Sequence, residues 1–207
     1  MTVMEISGFR IRGIEGSSLL IRRFDETLFR RPALRDQMSP EEKFAAARYI
    51  DDEDHDCFPA RYMKNAMIMA AKFAPESFKN VKRSSIMIVG DGADGESIVI
   101  ENVARKPMKP RMHVVSFGFS AAKAFSKSKP FVCNAEYKDW GANIRIVYDP
   151  AVLDRDLVIL LAAAAGELVG LGVWRPEMSG THGRFVVPGH RISKSKSRKW
   201  RAVEATG

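Results

Sequence analysis

The residues best suited to chemistry lie between Gly170 and Phe185, where Trp174, Arg175, Glu177, His182 and Arg184 are set among Gly170, Gly172, Gly180 and Gly183. A glycine-rich backbone lets amide N–H groups come close to a phosphate, and two guanidinium groups can flank the same anion. The spacing therefore fits an anion-binding loop, with Arg175 and Arg184 as the contacts and the four glycines setting its geometry. An irregular helix-to-strand connection has the same composition, so both readings stay open. Arg10, Arg12, Arg22, Lys106, Lys109 and Arg111 are the further candidate phosphate contacts.

Other chemistries have weaker signatures. His55, His113, His182 and His190 are spread along the chain, and none has the spacing of a nucleophile or metal site. The run Asp51-Asp52-Glu53-Asp54-His55-Asp56 invites a calcium reading, but an EF-hand counted from Asp51 puts Asp56 and Tyr62 where Gly and Glu are required. A solvated acidic turn is expected instead. Gly90-Asp91-Gly92-Ala93-Asp94-Gly95 satisfies G-x-G-x-x-G in form. A dinucleotide site needs a helix N-terminus next, whereas SIVI at 97–100 is strand-like, so a hairpin turn is expected. No metal and no cofactor follow from these patterns. Cys57 and Cys133 form neither a disulfide framework nor a C-x-x-C site, which fits a reducing cytoplasm.

The elements that must position the loop can be read from periodicity. Asp154 caps a helix whose Leu157, Leu160, Leu161, Ala164 and Leu168 recur at one-face spacing, and Gly170 and Gly172 stop it. A second helix is expected from Phe58-Pro59 through Phe73, with Tyr62, Met63, Ala66, Met67, Ala70 and Phe73 as its apolar stripe. Ser39-Pro40-Glu41-Glu42 reads as a capping box opening a helix to about Tyr49. Strands are expected over 3–12, 18–24, 85–89, 97–100, 112–116, 131–135, 143–148 and 183–187. Alternation puts Arg10 and Arg12 on one face of the first, away from Ile11.

Between Val103 and Trp140, Arg105, Lys106, Lys109, Arg111, Lys123, Lys127 and Lys129 alternate with Phe117, Phe119, Phe125 and Phe131. Charge for phosphates and rings for bases is the composition of a single-strand groove, although the rings could equally pack inward. The net charge of +8 is concentrated at the C-terminus, where Arg191, Lys194, Lys196, Arg198, Lys199 and Arg201 have no acid between them. That segment suits either a nucleic-acid backbone or a solubilising flexible end. No apolar run reaches the ~18–20 residues of a membrane span, and the N-terminus lacks a secretory-type apolar stretch.

The segment GLGVWRPEMSGTHGRFVV, following an apolar helix, resembles a group of bacteriophage and prophage proteins ending in G-x-G-x-W-R-P-E-x-x-G-x-x-G-x-F. Gly170, Gly172, Trp174, Arg175, Pro176, Glu177, Gly180, Gly183 and Phe185 carry the match. More distantly, the helix, glycine loop and strand resemble the RAMP superfamily, ferredoxin-like RNA-binding subunits of CRISPR effector complexes. That resemblance implies RNA binding, an insertion acting as a thumb and, as in some relatives, RNA cleavage by a general-base histidine, here His113 or His182.

The expectation is thus an α+β, ferredoxin-like (RRM-like, split βαβ) antiparallel sheet with two covering helices. One domain would span 1–188 with an insertion at about 101–140, followed by a basic, flexible tail over 189–207. Its expected function is non-enzymatic binding of single-stranded RNA or DNA, with a homo-oligomer as a further partner. Protein–protein assembly without nucleic acid, or metal-independent ribonuclease activity, are the alternatives. No membrane association is expected.

Overall fold

Alternation along the first and last long strands fixes the central sheet. In β1 (Glu5–Gly13), Ser7 and Ile11 are buried while Ile6 and Arg12 face outward. In β9 (Gly141–Tyr148), Ala142, Ile144, Ile146 and Tyr148 are buried and Asn143 and Arg145 exposed. The two pair antiparallel from Glu5↔Tyr148 to Arg12↔Gly141. β5 (Ile86–Val89) joins the far edge of β9, and β10 (Phe185–Val186) joins β1, giving the order β10-β1-β9-β5. The computed structural model describes residues 4–73, 81, 85–92, 94–116, 131–194 and 200–204.

Two helices cover the inner face. α4 (Ala60–Phe73) buries Met63, Ala66, Met67 and Ala70, and α5 (Arg155–Ala164) is buried along most of its length. The Asp154 carboxylate accepts the Leu157 amide at 2.7 Å, as the cap expectation requires. Chain order β1-α4-β5-β9-α5-β10 with neighbour order β10-β1-β9-β5 is the split-βαβ, ferredoxin-like topology. The expected fold class is the observed one. α5 does not run regularly to Leu168: Ala165–Val169 forms a wider π-helical turn. There Gly166 passes so close to Phe185 that a Cβ would lie 2.1 Å from its carbonyl oxygen.

Two smaller sheets flank this core. β2 (Leu19–Ile21), β8 (Phe131–Tyr137) and β7 (Arg111–Ser116) form one, in the order β2-β8-β7. β3 (Tyr49–Ile50), β4 (Asp56–Pro59) and β6 (Ser97–Val99) form the other. β4 corrects two expectations. Phe58 and Pro59 belong to a strand paired with Ile98 and Ser97, so α4 begins only at Ala60. Asp56 is not solvated; it is fully buried, takes a bidentate pair from Arg48 at 2.8 and 2.6 Å, and accepts the Tyr137 hydroxyl at 2.8 Å. The segment from Gly90 to Gly95 is a turn, but not of a hairpin: β5 pairs with β9 while β6 pairs with β4, so it carries the chain between sheets.

α3 (Pro40–Ala46) has the capping box in full, Ser39 Oγ accepting the Glu42 amide and Glu42 accepting the Ser39 amide. Before it, α1 (Glu26–Arg30) and α2 (Pro32–Gln37) occupy a stretch where no helix was expected. At the C-terminus, β11 (His190–Lys194) and β12 (Trp200–Glu204) pair antiparallel within the segment read as a tail. Phe117, Phe119, Phe125, Lys123, Lys127 and Lys129 of the expected thumb lie outside the described residues.

Candidate nucleic-acid interface

The glycine loop is welded along β2. The Val173 amide donates to Leu20 O, Leu171 to Gly183 O, Gly183 to Ser18 O, and Arg184 to Ser17 Oγ. Gly170, Gly172 and Gly183 adopt φ of +75°, +75° and +68°. A Cβ at Gly172 would sit 2.2 Å from Leu20 O, and one at Gly183 1.8 Å from Leu171 O. Gly180 is needed in the same way against Trp174 O. These glycines let backbone meet backbone, and the amides expected to cradle a phosphate are mostly spent inside the fold.

Arg175 is likewise committed. Its Nε and Nη2 donate to Glu177 Oε2 at 2.9 and 2.7 Å, and Nη1 donates to Gly172 O at 2.9 Å. The expectation of a free guanidinium at this position is corrected. Arg10 pairs with Glu101 and also reaches Asn102 O and Asn143 Oδ1, so it too is held internally. Lys109 is clamped on the acidic turn by Asp54, at 2.9 Å from its carboxylate. Among the described residues, the side chains of Arg12, Arg22, Lys106, Arg111 and Arg184 form no ion pair; all are exposed except the half-buried Arg184. The eight predicted contacts do not converge on one surface. Register places Arg12 opposite Val186, with Arg184 two residues further along; Arg111 stands opposite Glu136.

Arg22 occupies the most connected position. It lines a cleft of about 490 Å³ between α4 and the glycine loop, with Tyr62, Asn65 and the Arg175–Glu177 pair on its walls. It also lines a second cleft of about 370 Å³ under α1 and α3, and Val173 is common to both. The second cleft gathers Arg22, Arg23, Arg35 and Lys43 against one acid, Asp25. That acid is occupied as the cap of α1, accepting the Leu28 amide at 3.0 Å. Arg35 is paired with Asp36 at 3.5 Å, so Arg22, Arg23 and Lys43 are three cations facing one engaged carboxylate, which makes an anion-attracting groove. Arg22 was foreseen here. Arg23, Arg35 and Lys43 were not, although the alternation of arginine and phenylalanine from Arg22 to Arg35 was the available signal.

On the other side of the loop, His113, Trp174 and His182 form a triangle with ring centroids 6.0–6.1 Å apart. Trp174 sits there at φ +57°, a conformation costly for an aromatic residue. Beneath it, His113 Nδ1 and the Oδ1 of its cross-strand neighbour Asn134 are buried with no hydrogen-bond partner among the described residues. Burial, and then the neighbouring His113, hold the His182 imidazole below its ordinary pKa. Neither cysteine suits nucleophilic work: burial pushes the Cys57 thiol up to about 11 and also raises Cys133. Among the described residues no group of three or more His, Cys, Asp or Glu side chains could hold a metal ion.

No protein-family profile matches the chain, and no curated protein is similar to it in sequence. Neither comparison supports the phage and prophage resemblance or its motif. Among solved structures, the chain is similar to one in the cryo-EM structure of the Type III-B Cmr-beta bound to cognate target RNA, with a TM-score of 0.48 and 12% identity over 98% of this chain and 62% of that one. It is also similar to Cmr6 from Pyrococcus furiosus, with a TM-score of 0.45 and 10% identity over 90% of this chain and 100% of that one. The chain thus spans under two thirds of the length of the first. No helix among the described residues is long and apolar enough to cross a membrane.

Proposed function

We propose that this protein binds single-stranded nucleic acid, RNA or DNA, without acting on it, through the groove that passes over Arg22. The observation that carries the reading is that Arg22 lines two clefts, one of which sets Arg22, Arg23 and Lys43, none of them ion-paired among the described residues, beside a single capped acid. Phosphates would meet Arg22, Arg23 and Lys43, with Arg12, Lys106, Arg111 and Arg184 as outlying contacts. Arg175 and Arg10 act as positioning residues, the first shaping the loop and the second tying Glu101 to β1. The test is fluorescence anisotropy with a short labelled single strand, alongside the ultraviolet absorbance ratio of the protein before nuclease treatment. Tight binding at low salt, released at high salt, is expected. No binding at low salt would contradict the reading.

Two other readings each have a specific observation behind them. On the face of the central sheet away from the two helices, Ile6 and Met87 both lie opposite Val147, and Ile6 is 73% exposed. An apolar row of this kind favours assembly with a second copy or another protein. Light scattering after nuclease treatment tests it, and a monomer at all concentrations would count against self-association. The pairing of His113 with His182 favours a metal-independent ribonuclease in which one imidazole removes a proton and the other supplies one. Cleavage lost in both His113→Ala and His182→Ala would support that reading, and intact RNA after prolonged incubation would oppose it.

A further inference from the structure

The cleft under α1 and α3 is more than a basic surface, because its mouth is aromatic. Phe24 and Phe29 stand at its edge with ring centroids 5.3 Å apart and planes tilted by 50°. They are 64% and 67% exposed, which is unusual for phenylalanine and is not relieved by packing elsewhere in the described chain. Across the cleft, Lys43 Nζ lies 3.9 Å from the centroid of the Phe131 ring. Behind the rings the lining turns apolar, with Leu28, Ala47 and Val173. A volume of about 370 Å³ lies within the range of small-molecule sites.

Aromatic faces beside unpaired cations in one small cleft match a ligand that carries both a planar ring and a phosphate. We infer that this cleft is a nucleotide pocket: it takes one unstacked base of the bound strand against Phe24, Phe29 and Phe131, while Arg22, Arg23 and Lys43 hold its phosphates. Stacking on aromatic rings is tolerant of base identity and suits a strand read without sequence preference. An apolar peptide would fill the rings but leave the cations unmatched, and a duplex keeps its bases stacked away from such a cleft. The inference rests on the groove reading above and adds to it the place where a base is held.

The test uses the full chain and a single-stranded oligonucleotide carrying one 4-thiouridine, with F24A/F29A and Phe29→Tyr as variants. Because both rings are largely exposed, F24A/F29A is expected to fold, and circular dichroism checks this. Photo-crosslinks are expected within residues 24–30 or beside Phe131. F24A/F29A should bind about ten-fold more weakly with an unchanged salt slope, since no charge is lost, and Phe29→Tyr should bind as the native chain does. Crosslinks that miss both segments, or an F24A/F29A variant of native affinity, overturn the pocket while strand binding still stands. A native chain that fails to bind the oligonucleotide at low salt overturns the groove reading and the pocket together.

Discussion

Arginine side chains in this chain divide by what surrounds them rather than by where they fall in the sequence. Arg175 lies in the most conspicuous motif, yet Glu177 two residues on takes its charge and Gly172 O accepts from a third N–H donor of its five. Arg175→Ala is expected to lower the unfolding free energy by about 1–3 kcal/mol, since Glu177 loses its partner, while the salt slope of oligonucleotide binding stays unchanged. Thermal melts and anisotropy on one preparation check both halves. His182 makes a second prediction at this scale. Its folded-state pKa lies below the ordinary imidazole value, so the unfolded chain binds more protons just below neutrality. Stability is therefore fully present above about pH 6.5 and is lost as pH falls through the folded-state pKa. In His182→Asn, melting temperature followed from pH 7.5 to pH 5 should fall less than in the native chain.

Elements were legible where periodicity and caps agreed with burial. The Asp154 cap, the Ser39 capping box and the alternation of β9 all stand as expected, because each is decided by neighbours in sequence. What was not legible depended on distant partners. Phe58-Pro59 looks like a helix start until β6 pairs with it, and Asp56 looks like part of a solvated run until Arg48 and Tyr137 close over it. The candidate site followed the same rule: Arg22 was visible as a cation, but its groove is made by Lys43 and Phe131, which the fold alone brings to it. Two predictions belong to elements. Asp56→Ala leaves Arg48 without its carboxylate beside the buried Tyr137 hydroxyl and should cost about 3–5 kcal/mol in denaturant unfolding. Gly183→Ala forces a Cβ against Leu171 O at positive φ and should cost more than about 1 kcal/mol, detaching the loop from β2.

At the scale of the molecule, two helices lie on one face of a 4-1-3-2 type sheet, Ile6 and Met87 are exposed on the other, and the small β2-β8-β7 sheet supports the groove. The basic excess is not spread evenly. Arg10, Arg48, Lys109 and Arg175 are neutralised by Glu101, Asp56, Asp54 and Glu177. Of the groove cations, Arg35 is paired with Asp36, and Arg22, Arg23 and Lys43 are left to meet an outside anion. The central claim is that this remaining charge binds a polynucleotide backbone at Arg22 and its neighbours. Its most direct test is the logarithmic salt dependence of single-strand affinity for the native chain and for Arg22→Ala/Lys43→Ala. The native slope should be about −2 to −3, from three or four neutralised phosphates, and the double variant should flatten it by about 1.4. Identical slopes in the two proteins would contradict the assignment.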